Sequence, residues 1–204
     1  CKTCKEKFEP KYFNQKFCME KTECISAFTE WHKEYKEKQK SKKWNQEKKA
    51  IKDKLETKTD VEKKLQKEIN LIVRLLDKGH PCNSSGRSLG KNYDAGHIFS
   101  RGGNPQIQFH LFNIFAQSVH DNQWKSGNQL DFIERIGDIF GQELKEHILT
   151  LKGLPALNLS KEELKDKINI ARGIVKWLKL QDRVFTQKER ISFRERFNKE
   201  LGIY

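Results

Sequence analysis

Between residues 94 and 128 the sequence gathers side chains suited to work on a phosphate ester. His97 closes the run Asp94-Ala95-Gly96-His97, and Arg101-Gly102-Gly103 follows as a turn. Asn113 sits inside the apolar run Phe112-Asn113-Ile114-Phe115, and Asn122 lies one helical turn before Lys125. Hydrolysis of a phosphodiester needs a base to take a proton from water. It also needs a divalent cation to hold a phosphate oxygen and the leaving 3′ oxygen. A neutral imidazole, with an ordinary pKa of about 6.5, can be that base. Asn113 can hold the backbone of the histidine strand and its turn. Asn122 offers a neutral oxygen to a hard cation such as Mg²⁺ or Mn²⁺. Lys125 and Arg101 can meet phosphate. Taken singly, each has a plainer reading: a histidine near glycines is an ordinary turn residue, and a buried asparagine steadies a turn. Order and spacing together carry the chemical one.

The elements that must position these residues follow from periodicity and breakers. Residues 28–68 contain no Gly or Pro and are dense in Lys, Glu and Gln. That composition predicts one long helix or two, with Trp31, Trp44 and Leu55 on its less polar side. Lysines outnumber acids between Lys33 and Lys54, so Lys42, Lys43, Lys48 and Lys49 can lie along phosphates. From Val61 to Leu76 apolar residues recur at helical spacing, and Gly79 and Pro81 end that helix. Residues 80–128 change character: glycine is frequent, lysine scarce, and His80, His97, His110 and His120 all fall here. The short apolar runs Ala95–Phe99, Ile107–Phe109 and Phe112–Phe115 predict two short strands and a loop. Residues 129–150 read as one helix. Ser160 with Glu163 is a capping box opening another, and a basic helix runs from Thr186.

Charge bounds the partners. Lys plus Arg number 41 against 28 Asp plus Glu, a net charge of +13 over 204 residues. Such a balance attracts polyanions and releases their counterions, which points to nucleic acid. No run of about 18 apolar residues is present to span a bilayer, so no membrane partner is expected. Nor is there a secretory signal pattern. The chain opens at Cys1 without an initiator methionine, which leaves room for residues upstream.

Four of the five cysteines, Cys1, Cys4, Cys18 and Cys24, have the spacing C-x2-C-x13-C-x5-C, with Phe8, Tyr12, Phe13 and Phe17 between the pairs. Without a secretory signal this reads as a structural Zn²⁺ site in a reducing, intracellular compartment, not as disulfides. So short a segment has no core of its own, and a metal staples it.

The order His97, Asn113, Asn122 resembles the HNH (ββα-metal) nuclease motif. There a strand carries the first histidine, a second strand returns, and a helix supplies the last ligand. A closer resemblance is to the phage NinG (Rap) family. It rests on Phe8, Pro10, Asn14 and Gln15 before Cys18, the Lys/Glu-rich helix, and Gly79-His80-Pro81-Cys82. It continues through Asp94-Ala95-Gly96-His97, Pro105-Gln106, Phe109, Asn113-Ile114, Asn122 and Lys125-Ser126-Gly127-Asn128, and covers roughly residues 1–180. It implies a structure-specific DNA endonuclease acting on branched recombination intermediates such as Holliday junctions and D-loops. In that setting the protein works in the cytoplasm of a bacterial host. Junction resolution takes two cuts, which suits a homodimer. The fold expected is α+β and mostly helical. A Cys-rich zinc module occupies 1–27 and a Lys-rich helical segment 28–78. An HNH-like core follows at 79–150 and C-terminal helices at 151–204.

Two departures from the pattern matter. The family carries two C-x-x-C pairs that flank the strands and hold a second zinc. Here they read Cys82-Asn83-Ser84-Ser85 and Ser118-Val119-His120-Asp121. One thiol cannot hold a structural zinc, so hydrogen-bonded or hydrophobic packing is expected in its place. A poorer site from Cys82, His120 and Asp121 is the alternative. Second, Gly96 stands where the HNH class often has a metal-binding Asp or His before the base. Asp94, on the same face of the strand, is the candidate carboxylate. Two competing readings remain: a non-catalytic protein that binds DNA junctions with a degenerate site, and a zinc-finger RNA-binding or adaptor protein.

Overall fold

A computed structural model describes residues 1–124 and 129–203, and the side chains of all of these except Gln123 and Trp124. Lys125 and the Ser126-Gly127-Asn128 that follows it lie outside the described residues. Among the described residues the architecture is α+β and mostly helical, with one two-stranded sheet. It divides into two compact units, Cys1–Glu56 and Thr57–Tyr204.

The first unit is the cysteine module followed by α1, Thr22–Leu55. Helix formers and the absence of breakers sustain its 34 residues, and Cys24 is its one buried residue. Exposed pairs one turn apart, Lys38 with Glu34 and Lys43 with Glu47, support it weakly. Trp31 packs as expected, against Phe17 at 5.8 Å and stacked on Tyr35 at 5.5 Å. Trp44 and Leu55 do not: they are 64% and 74% exposed, because this part of α1 has no partner surface within its unit. The helix ends where Glu56 turns extended.

In the second unit Thr57 and Asp60 form a reciprocal capping box that opens α2, Lys58–Leu76. Val61, Leu65, Ile69, Ile72, Val73 and Leu76 are all buried, the stripe that the sequence announced. They pack on the inner face of α6, Lys161–Gln181, through Leu164, Ile168, Ala171, Val175 and Leu178. Asp77 caps α2, and Gly79, at φ +84°, turns the chain away in a conformation that favours glycine.

The strands are β1, Tyr93–His97, and β2, Ile114–Ser118, paired antiparallel with Asp94 opposite Gln117, Gly96 opposite Phe115 and His97 opposite Ile114. One sheet face (Ala95, Ile114) joins the α2–α6 core. Phe115, on the other, joins a second core with Ile98, Phe99, Phe132 and Ile136. Two short strands and a loop are what the sequence leads to, and Ile107–Phe109 falls in the loop. Pro105–Ile107 and Leu111–Asn113 are 3-10 turns in the loop that returns the chain. After β2 comes α3, Val119–Trp124, then α4, Gln129–Phe140, and α5, Gln142–Thr150. The single helix expected over 129–150 is thus two, broken by Gly141 at φ +99°.

The last helix, α7, Gln187–Glu200, reads as basic, yet Arg190 and Arg194 are buried. Both meet the carboxylate of Asp77. Arg190 Nε donates to Oδ1 at 2.9 Å, and Arg194 Nη2 donates to both oxygens at 2.9 Å. Their planes lie over Phe140 and Phe115, 4.7 and 4.3 Å from the ring centroids. Asp77 also accepts from the Ala116 backbone of β2 at 2.8 Å and from Asn83. One anion therefore ties α2, β2, the residue 83 turn and α7 together.

Candidate functional site

His97 ends β1 with its ring half-buried beside a cavity of about 380 Å³, whose lining includes Gln66, Asn70, Ser100, Arg101 and Asn122. Its Nε2 lies 2.9 Å from the Gln108 backbone carbonyl. A carbonyl only accepts, so the neutral ring carries its proton on Nε2 and keeps the Nδ1 lone pair free. Burial pushes the ring down to about 4; the Gln108 carbonyl opposes this, and Arg101 adds to it. At neutral pH the imidazole is therefore unprotonated, the state a base requires.

Asn113 does not face the cavity. It is fully buried, its Oδ1 accepts from Phe99 N at 2.8 Å, and its Nδ2 donates to the carbonyls of Phe99 and Ile107. Its own carbonyl accepts from Ile98 N at 2.9 Å. Asn113 is thus a brace that sets the turn after His97. Asn122, from α3, lines the His97 cavity and donates through Nδ2 to Asp94 Oδ2 at 3.0 Å. By strand alternation Asp94 and His97 leave opposite faces of β1, and Asp94 opens on a neighbouring cavity of about 340 Å³ bordered by Arg74, Lys78 and Lys91. The structure therefore joins Asn122 to each of the other two without bringing Asp94 into the cavity of His97.

Gly96 has a steric reason. A Cβ there would lie 1.7 Å from Gln117 Oε1, so something would have to shift, and 3.1 Å from Asn122 Oδ1. The space that a side chain at 96 would take is already filled by a carboxamide from the partner strand. Oxygens of Gln117 and Asn122 lie there, and Asp94 is tied to Asn122 through its Nδ2. One carboxylate with neutral oxygens suits a hydrated Mg²⁺ or Mn²⁺, which keeps several of its own waters.

The four N-terminal thiols all lie within 4.8 Å of one another. Cys1 Sγ is 3.6 Å from Cys24 Sγ, and Cys4 Sγ is 3.9 Å from Cys18 Sγ. A zinc tetrahedron with bonds of about 2.3 Å has sulfur–sulfur edges of about 3.8 Å, so the four could hold a structural metal ion such as zinc. Lys42, Lys43, Lys48 and Lys49 are exposed on α1, as is Arg101 beside the His97 cavity.

A profile of the family described as Bacteriophage Lambda NinG protein matches residues 1–181. The chain belongs to the NinG family. It is 33% identical to protein ninG of Enterobacteria phage H19B over 187 residues, 83% of this chain and 93% of the relative. It is 32% identical to protein ninG of Escherichia phage 933W over 157 residues, 72% of this chain and 78% of that one. The ninG protein of Escherichia phage lambda is 33% identical over 116 residues, covering 52% and 57%. No solved structure matches. Helix α7, with the two buried arginines, lies beyond the part matched by the NinG profile.

Where the NinG resemblance led to two C-x-x-C pairs, this chain has a buried hydrogen-bonded cluster. Asp121 Oδ2 accepts from Ser85 Oγ at 2.5 Å, Ser118 Oγ at 2.8 Å and Cys82 Sγ at 3.3 Å. The thiol also meets Ser84 Oγ at 3.2 Å and accepts from Ser118 N. Burial opposes ionisation of Asp121, but the hydrogen bonds of Ser85, Ser118 and Cys82 outweigh it and hold the carboxyl at about 2. His120 Nδ1, on an exposed ring, is 3.6 Å from Oδ1. One thiol and one carboxylate, whose Oδ2 is already taken by two hydroxyl donors, fall short of the four ligands of a structural zinc. Among the described residues, the N-terminal cysteines are the one metal-capable group of His, Cys, Asp and Glu.

Sequence reasoning missed Gln66, Asn70, Gln117 and the Gln108 carbonyl. The available signal was Gln66, a polar residue next to Leu65 in the apolar period of α2.

Proposed function

We propose that this NinG-family chain is a metal-dependent, structure-specific DNA endonuclease acting on branched recombination intermediates such as Holliday junctions and D-loops. One observation carries the reading: His97 is a neutral imidazole, oriented by the Gln108 carbonyl so that Nδ1 keeps its lone pair, and its side chain lines a polar cavity with Asn122 and Arg101. The resemblance to the HNH motif and the net charge of +13 support it.

His97 Nδ1 takes a proton from water as the oxygen attacks phosphorus, and the leaving 3′ oxygen departs with the bonding electrons. Arg101 offers a guanidinium to the phosphate. Asn113 keeps the turn after His97 in register. Asn122 would hold Mg²⁺ or Mn²⁺ from the wall of the His97 cavity, with Asp94 behind it through the Asn122 Nδ2 hydrogen bond, and the ion would supply charge neutralisation at a phosphate oxygen and at the leaving oxygen. The lysines of α1 bind the DNA backbone without reading sequence, and a homodimer would supply the two cuts that resolution needs. This assigns the protein to the bacterial cytoplasm. Gly96 favours a second reading, a degenerate member that binds junctions without cutting them, because it withdraws one side chain from the cation.

Cleavage of a synthetic four-way junction with Mg²⁺ or Mn²⁺ tests the reading. His97→Ala should lose at least about 100-fold in rate while keeping its fold and its DNA affinity. The pH profile should stay level from neutral pH down toward the folded value of about 4, because the ring gains its proton only there. An alanine variant that cuts like the parent would remove His97 from the mechanism. Binding without cleavage in either metal would favour the degenerate reading.

A further inference from the structure

Gln66 is out of place by polarity. The residues around it on the inner face of α2, Val61, Leu65, Ile69, Ile72 and Val73, are at most 1% exposed and apolar. Gln66 is 5% exposed, and its Nε2 donates to Asn70 Oδ1 at 2.7 Å. That bond fixes which way the carboxamide faces. Its oxygen, Oε1, is buried and accepts no hydrogen bond among the described residues. Leaving a buried carbonyl unmatched opposes folding, and leucine would fill the position without that cost. Yet Gln66 lines the same cavity as His97.

His97 Nδ1 and Gln66 Oε1 are both acceptors, and the two side chains line one polar cavity. The small ligand complementary to two acceptors is a molecule with two donor hydrogens. We infer that Gln66 is a positioning residue for the nucleophilic water, an inference that rests on the nuclease reading. One O–H of the water donates to Gln66 Oε1 and the other to His97 Nδ1. With both hydrogens engaged, an oxygen lone pair is left to point at phosphorus. On attack the O–H bond to His97 breaks and its proton moves to Nδ1. The new P–O bond forms as the bond to the 3′ oxygen breaks, and that oxygen keeps the electron pair. Asn70 holds the carboxamide in register through its bond to Nε2.

Gln66→Leu and Gln66→Met test this in the full-length, zinc-loaded protein. Three readouts are needed: single-turnover cleavage of a four-way junction with Mn²⁺, junction affinity with Ca²⁺, and thermal stability. Either variant should cut about 100-fold more slowly with affinity within about twofold of the parent. Both should melt at the parental temperature or ~1–3 °C above it, since an unmatched buried oxygen has gone. A residue kept for packing would behave in the opposite way, losing stability and keeping its rate per folded molecule. Parental rates in both variants, or melting several degrees lower in both, would overturn the inference and leave the nuclease reading standing. A parent that cuts no junction in either metal overturns that reading, and the inference with it.

Discussion

Replacing Asp77 with asparagine should damage this protein far more than its distance from the His97 cavity suggests. Asp77 is 0% exposed and is, among the described residues, the one carboxylate within salt-bridge reach of two buried guanidiniums, at 2.8 Å to Arg190 and 2.9 Å to Arg194. Asparagine keeps the shape but removes the charge, and it turns one acceptor into a donor aimed at a cation. Breaking a buried ion pair from one side costs about 3–5 kcal/mol, because the remaining charge is buried and uncompensated. A domain of this size is stable by about 5–15 kcal/mol, so roughly a third to a half of its stability is at stake. At 2–4 °C per kcal/mol, melting should fall by about 10 °C. Burial pushes the Asp77 carboxyl up, but Arg194 and Arg190 outweigh it and hold it below its ordinary 3.8. The folded value is depressed, so this contribution is present above the unfolded value and is lost as pH falls through the folded one. Urea and thermal unfolding, followed by circular dichroism at neutral pH and again in acid, measure it. In the variant the difference from the parent should shrink as the solution is acidified. A loss under about 1 kcal/mol at neutral pH would refute the argument. So would a double variant with Arg194→Met that shows no coupling to Asp77→Asn, since residues in one network should couple.

Other outcomes follow from the same structure. Metal analysis of the purified protein should find one zinc per chain, bound by Cys1, Cys4, Cys18 and Cys24, and chelation should unfold residues 1–27 while leaving the α2–α6 core intact. A second zinc lost on Cys82→Ser would contradict the reading of the Asp121 cluster. Gly96→Ala should destabilise by about 1–3 kcal/mol through its clash with Gln117 Oε1, and Gln117→Ala in the same chain should recover most of that loss in thermal melts. Log affinity for junction DNA should fall linearly with log salt. Changing Lys42, Lys43, Lys48 and Lys49 to alanine should reduce the slope by about 0.9 for each phosphate contact removed. An unchanged slope would take α1 out of the DNA interface.

Much of this protein was legible one residue after another. The C-x2-C-x13-C-x5-C spacing announced the thiol cluster, and the helical period from Val61 to Leu76 announced the stripe that packs on α6. Ser160 with Glu163 marked where α6 begins. These signals act over a few residues, through hydrogen bonds and side-chain spacing that need no distant partner. Glycines were legible as breakers only in part: Gly79 ended α2 as expected, whereas the positive φ of Gly141 that splits the 129–150 helix was not anticipated. Membership of the NinG family was legible too, because its motifs are contiguous.

Tertiary structure alone decided what those elements meet. Arg190 and Arg194 looked like solvent charges on a basic helix until the fold brought them to Asp77, 113 and 117 residues away along the chain. Gln66 reads as a blemish in an apolar stripe until α2 is laid beside His97. Gly96 reads as a missing ligand until β2 is paired in register and the Gln117 carboxamide occupies its place. A pairing of distant residues leaves no local periodicity, and a buried charge or amide is tolerable only because of what the fold sets against it.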